Sequence, residues 1–380
     1  MLPKRWTITL ACLTAVIHPL ASDGNDGSSA DECLADTRAA IAGIAKNYAG
    51  YPDKRTQLGA KELDASEQQA RKAAANVTTR EACDAIIDDY VGLFRDAHLS
   101  QLVRNQQDNF SRTPKSLSAT RQLRSQAGAV SLEPTARLLS DESVVLTIPD
   151  FNLYYRSKLA TLIRQFDSEM RQRPNLIIDL RGNSGGSDGT WQVLLPYLYT
   201  HPIVNVGVDA RATRENADAW EAMGAQLPDT ESASRTALMN AAQTLRSAAE
   251  GSFISLVEDS TTTLPEVLVL PSRIAILIDQ GCASATEQFL LAARQSMKVR
   301  LFGQPSWGLL DYSNVRTLPL PSAQRLLGIA TTRSRRLPKH PIDNIGIPPD
   351  VFIADLDTQQ SSEEAVDFVL NYWKQKSGTR

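Results

Sequence analysis

The strongest constraint on the fold is a strand–helix–strand signature between residues 143 and 180. Ser143–Ile148 (SVVLTI) and Asn175–Leu180 (NLIIDL) are short, nearly unbroken apolar runs, the length and character of buried strands. Between them, Leu159, Leu162, Ile163, Phe166 and Met170 recur at three-and-four spacing over Tyr155–Arg171, one face of an amphipathic helix. Two strands joined by such a crossover lie parallel in one sheet. Ile274–Ile278 is a third buried run, followed by a helix carrying Phe289, Ala292 and Ala293, and Val299–Phe302 is a fourth. The chain therefore reads as an α/β protein whose parallel strands are covered on both faces.

Around this core the sequence divides as follows. Residues 1–22 read as a signal peptide: Lys4 and Arg5 precede the apolar run Trp6–Ile17, then Pro19-Leu-Ala21-Ser22, and the run is too short to span a bilayer. Cleavage is expected after Ala21 or Ser22, and no other segment is apolar enough to cross a membrane. An N-terminal helical region is expected at 23–104, from amphipathic spacing over Cys33–Tyr48 and Thr79–Phe94. A polar linker follows at 105–135. The core runs from 136 to 360, with strands at Ile203–Val208, Asn314–Leu318 and Leu326–Thr331, a helix near Thr190–Leu198, and an Ala- and Glu-rich helical insertion at about 209–255 read as a lid over the sheet. A C-terminal helix closes the chain at 361–380.

The 380 residues are 42% apolar and 22% charged, with a net charge of −3 and no basic block, which excludes a nucleic-acid footprint. Three cysteines follow the leader. Cys33 and Cys83 lie in the helical N-terminal part, and an exported chain can oxidise such a pair; a Cys33–Cys83 disulfide is expected, two buried thiols being the alternative. Cys282 stays free. No CxxC pair or His cluster indicates a metal site, and no cofactor is expected.

Three stretches can carry chemistry. Ser284 sits between the strand and helix of RIAILIDQGCASATEQFLLAAR (273–294), beside unpaired helical N–H groups that favour developing negative charge; Ser284-Ala-Thr-Glu287 is equally a capping box. Arg181-Gly-Asn-Ser-Gly-Gly186 follows a buried strand at its carboxyl end, the edge where open α/β sheets bind ligands. It lacks the phosphate-loop patterns, leaving an oxyanion hole or a tight turn. Pro341-Ile-Asp343-Asn-Ile-Gly346-Ile-Pro-Pro349-Asp350 is a fixed loop whose Asp343 can orient a histidine or bond its own backbone. A nucleophilic serine needs a base, and His98, His201 and His340 are the candidates.

Taken together, in order, these stretches resemble the tail-specific protease family (peptidase family S41: C-terminal-processing peptidases, the tricorn core protease and the repeats of the interphotoreceptor retinoid-binding protein). NLIIDLRGNSGG resembles the D-L-R-x-N-x-G-G segment, GCASATEQF the S-A-x-E nucleophile segment, Phe302-Gly-Gln-Pro-Ser306 the F/V-G-E-P-T segment, Asp343–Asp350 the closing E-x-x-G-x-x-P-D, and Asp96-Ala-His98 the D-G-H of the tricorn-like branch. The resemblance implies a ClpP/crotonase-like αβ core, a peptide or protein substrate, Ser284 as nucleophile, His98 as base and Asp343 as supporting acid. It implies an oxyanion hole from the amide of Ala285 and that of Gly185 or Gly186. The chain departs from the Ser–Lys relatives: Leu309 stands where their lysine follows the G-E-P-T segment, and no PDZ-like stretch lies between His98 and Ser143. Both departures point to the His-based branch, with His340 as an alternative base. The runner-up function is an inactive binding module for peptide or lipid in a groove under the insertion. An acyl-CoA enzyme on the related crotonase fold fits poorly with an export signal.

Overall fold

In the computed structural model, residues 30–104, 110–112, 133–227, 231–354 and 362–377 are described. The leader and most of the 105–135 linker lie outside them. The strands are β1 (Ser100–Arg104), β2 (Phe110–Arg112), β3 (Thr135–Ser140), β4 (Ser143–Thr147), β5 (Asn175–Asp179), β6 (Ile203–Asn205), β7 (Val208–Arg211), β8 (Phe253–Val257), β9 (Ser260–Thr262), β10 (Arg273–Ile278), β11 (Val299–Gly303), β12 (Tyr312–Pro319), β13 (Arg325–Ser334) and β14 (Val351–Phe352).

The apolar runs assemble a six-stranded sheet in the order β14-β11-β10-β5-β4-β3. As the strand–helix–strand pattern predicts, β4 and β5 are parallel, with Leu146 opposite Ile178; β10 continues in parallel, with Ile276 opposite Ile178, and β3 closes the edge as an antiparallel hairpin with β4. Successive strand residues point to opposite faces, and here both faces are dry. Val144, Leu176, Ile178, Ile274 and Ile276 pack with the crossover helix Arg156–Gln172 and the helix Ala285–Ala293. Val145, Ile177, Ala275, Leu277 and Phe302 pack under Ala365, Val366, Val369 and Trp373 of the C-terminal helix Ser362–Ser377. The helix expected at Thr190–Leu198 is broken into short helical turns, with Pro196 just inside the last of them.

A second, antiparallel sheet runs β2-β1-β13-β7-β8, with β12 on the other edge of β13. The expected pairing of Asn314–Leu318 with Leu326–Thr331 is present, Val315 lying opposite Ala330. Ile203–Val208 is not one strand: it splits at Gly207, where a Cβ would meet the Val257 carbonyl at 1.9 Å, into β6 and β7 of separate sheets.

Four N-terminal helices, α1 (Ala30–Asn47), α2 (Tyr51–Leu58), α3 (Ala60–Ala74) and α4 (Arg80–Gly92), bury Ile41, Ile44, Ile87 and Phe94 against Leu327 and Ile329 of β13. Helices α2 and α3 fall within the expected helical region, though the spacing there marks only α1 and α4; α2 (YPDKRTQL) is mostly polar and carries no apolar stripe. Arg325 is fully buried and donates to Asp36 of α1 at 2.8 Å and Asp84 of α4 at 2.6 Å. Cys33 and Cys83 are joined as a disulfide, tying α1 to α4. Its 50-residue separation corresponds to about 4 kcal/mol of unfolded-state loop entropy. Reduction should accordingly lower the thermal midpoint by several degrees; an unchanged midpoint with two free thiols by mass would oppose it.

The insertion forms two helices, Arg214–Gln226 and Ser232–Ser247, that pack together through Trp220, Leu238 and Leu245. Trp220 donates to Thr331 of β13 at 3.2 Å, so the pair covers the antiparallel sheet. No helix among the described residues is long and apolar enough to cross a membrane.

Candidate active site

Two loops leave the carboxyl ends of neighbouring parallel strands β5 and β10 and meet. After β5, Asp179 and Arg181 form a buried ion pair at 2.8 Å, which anchors the start of the glycine loop. Asn183, fully buried, fastens the rest: its Nδ2 donates to the Ile148 carbonyl at 2.9 Å, and its Oδ1 accepts from Gly185 N at 3.0 Å and Thr286 Oγ1 at 2.7 Å. Gly185 and Gly186 have φ of 100° and 136°, values that L side chains rarely adopt. A Cβ on Gly185 would lie 2.8 Å from Ala285 N, and one on Gly186 2.4 Å from Asn152 N, so Gly185 lets the loop lie against the Ser284 turn and Gly186 lets it lie against the Phe151–Asn152 backbone.

After β10, Ser284 takes φ 56° and ψ −121°, a strained conformation for a residue with a side chain, worth about 1–3 kcal/mol. The neighbours hold it there. Ser284 N donates both to the Leu309 carbonyl and to Glu287 Oε2, each at 3.1 Å. Glu287 is fully buried and also accepts from Ser306 Oγ at 2.6 Å, Gly308 N at 2.7 Å and Leu309 N at 2.8 Å. Burial raises its carboxyl pKa, and those donors oppose the rise. Glu287 thus does more than close a capping box: it clamps the 306–309 loop onto the Ser284 turn. Leu309, in the place of the relatives' lysine, acts here through its main chain.

The third part comes from the other sheet. His98 follows α4 and is buried. Asp96 accepts from His98 N at 2.8 Å and from Tyr48 OH at 2.6 Å, fixing the turn. His98 Nδ1 lies 2.5 Å from the Tyr312 carbonyl, and Nε2 lies 3.2 Å from Ser284 Oγ. A carbonyl only accepts, so Nδ1 carries the proton and the lone pair of Nε2 faces the serine hydroxyl. The sequence offers no signal for a main-chain carbonyl in this role.

Asp343 is placed beside this arrangement, its Oδ1 accepting from Leu310 N and Asp311 N, both at 2.7 Å. Asp311 returns the contact, accepting from Ile342 N at 2.8 Å and Asp343 N at 2.9 Å. Burial first, and then the charges of Asp96 and Asp311, push the Asp343 carboxyl up to about 8, so the cluster it forms with those neighbours retains a proton near neutral pH. The folded state then keeps a proton that the unfolded chain releases near 4, and stability falls as pH rises between about 4 and 8, by at most about 1.4 kcal/mol per unit for one proton. Asp343→Asn should flatten this dependence between pH 6 and 8 in urea midpoints; an unchanged slope would oppose the assignment.

Ser284, His98, Ala285, Gly185 and Gly186 line one cleft of about 360 Å³. Gly185 N is taken by Asn183, which leaves the Gly186 and Ala285 amides on the cleft wall. His201 and His340 are exposed and lie outside the lining, and the insertion helices contribute no lining residue.

Residues 143–353 match the model of peptidase family S41. The fold is similar to that of a Parabacteroides merdae ATCC 43184 protein solved as a candidate peptidase (TM-score 0.57, 12% identity, 91% of this chain and 96% of that one). It is similar also to mature CPAF (0.56, 13%, 85% and 92%) and to the tricorn protease (0.52, 13%, 91% and 37%). At these identities the likeness shows the fold. No match is found among curated proteins. With the family model spanning more than half of the chain, and the parallel core carrying the family's segments in order, the chain belongs to peptidase family S41.

Proposed function

We propose that the protein is an exported serine peptidase in which Ser284 is the nucleophile and His98 the base. The observation that carries the reading is the 3.2 Å approach of His98 Nε2 to Ser284 Oγ, with Nδ1 held on the Tyr312 carbonyl. His98 takes the hydroxyl proton as Oγ attacks a peptide carbonyl and returns it to the leaving amine. The oxyanion rests on the amides of Ala285 and Gly186, each donor worth about 3 kcal/mol. Water then hydrolyses the acyl-enzyme with the same base. The imidazolium is supported by the Tyr312 carbonyl dipole, and Asp343 contributes by pinning Leu310 and Asp311 just before Tyr312. Export is supported by the leader pattern at residues 1–22 and by the Cys33–Cys83 bridge.

A fluorophosphonate probe should label Ser284 in the purified protein, and Ser284→Ala should lose the label. The intact mass of protein recovered from an exporting host reports whether the first 21 or 22 residues are gone. A folded protein without label would favour the second reading, an inactive binding module, for which Leu309 in place of the lysine and Asp343 in place of the family's Glu speak.

A further inference from the structure

We propose that Asp188 makes the cleft selective for a cationic side chain, Lys or Arg, on the substrate residue whose carbonyl Ser284 attacks. The proposal rests on the serine-peptidase reading above and names its substrate class. Three carboxylates line the cleft, Asp150, Asp188 and Glu258, against one Lys or Arg, Arg336. That guanidinium already faces buried Asp311 at 3.4 Å, and Glu258 has Arg335 at 2.7 Å. Asp188 has no ion pair among the described residues; its hydrogen bond is from the neutral indole of Trp191 at 3.3 Å.

Asp188 is half-buried on the cleft wall, and a carboxylate that has lost part of its hydration is stabilised by a cation brought to it. Burial pushes the Asp188 carboxyl up to about 6, so above that pH it stands charged and uncompensated in the cleft. A first-turn acid has little helix to stabilise here, because the helix spans only Asp188–Trp191.

The position fits a subsite for the reacting residue. Its carbonyl is fixed between Ser284 Oγ and the Gly186 and Ala285 amides. Asp188 follows Gly186 by two residues, and Gln288 lies one helical turn beyond Ser284; both line the cleft with Trp191. The methylene stem of a Lys or Arg packs against the indole, and its head reaches the carboxylate. A net acidic cleft also draws cationic peptides in.

The test separates binding from catalysis. Full-length Ser284→Ala protein is titrated at pH 8 with two dye-labelled decapeptides that differ only in a central Lys or norleucine. The Lys peptide should bind at least tenfold tighter; Asp188→Asn should bring the two within twofold, and Asp188→Glu should retain the preference. Equal binding by the Asp188 protein would overturn the proposal. In parallel, active enzyme digests a mixed peptide library read by mass spectrometry, with cleavage expected after Lys and Arg. Ser284 labelled by fluorophosphonate but cleavage after apolar residues, unchanged by Asp188→Asn, would sink the selectivity and leave the peptidase. Absence of label would sink the peptidase reading, while the titration still decides whether Asp188 selects a cation.

Discussion

Ser284→Ala should lower kcat/KM for a fluorogenic peptide by at least about three orders of magnitude, and His98→Ala should fall to a similar level. On the proposed mechanism the two side chains perform one proton transfer, so removing either disables the other, and the double variant should be little worse than each single one. What survives comes from the Ala285 and Gly186 amides and from substrate positioning. Ser284 N holds its partners through the main chain, so the alanine variant keeps its circular dichroism and its urea midpoint. The wild-type rate should drop at acid pH, where Nε2 acquires a proton and can no longer accept one. Full activity in His98→Ala would remove the base from the mechanism.

Glu287→Ala should be the most damaging change in the core, about 3–5 kcal/mol in urea unfolding. It strands three donors at once, the amides of Gly308 and Leu309 and the hydroxyl of Ser306, and leaves Ser284 N with the Leu309 carbonyl alone. Each buried donor left without a partner costs about 1–3 kcal/mol before relaxation. Activity should fall with stability, because the same carboxylate holds Ser284 in its left-handed conformation. Glu287→Gln keeps an acceptor oxygen and the volume, and should recover part of both. A loss below about 1 kcal/mol in Glu287→Ala would mean that water replaces the carboxylate.

The parallel core was legible because its strands are dry on both sides. Ile274–Ile278 and Asn175–Leu180 admit few other structures, and the crossover helix carries a complete apolar stripe. The antiparallel sheet was harder to read. β12 and β13 were visible as a pair, but the split of Ile203–Val208 depends on a close approach to the Val257 carbonyl that no local pattern announces. At the site, residues with a chemical signature, Ser284, His98 and the glycine pair, were named from sequence. Those that act through shape were not. Asn183 works by filling three hydrogen bonds at once, and Tyr312 by lending a carbonyl that any residue would have. Asp343 was read as an acid supporting the histidine; the contacts it makes to the Leu310 and Asp311 amides follow from a fold that no local pattern announces.

The two reacting atoms are separated by 186 residues of sequence and stand on different sheets. His98 emerges from the N-terminal helices, which are locked to β13 through Arg325, a strand made after the nucleophile. A chain emerging from synthesis, or held extended, therefore contains every chemical group and no reagent. On the proposed mechanism, hydrolytic power arises only when the last third of the polypeptide has docked on the first. Completion of the tertiary structure is then the switch.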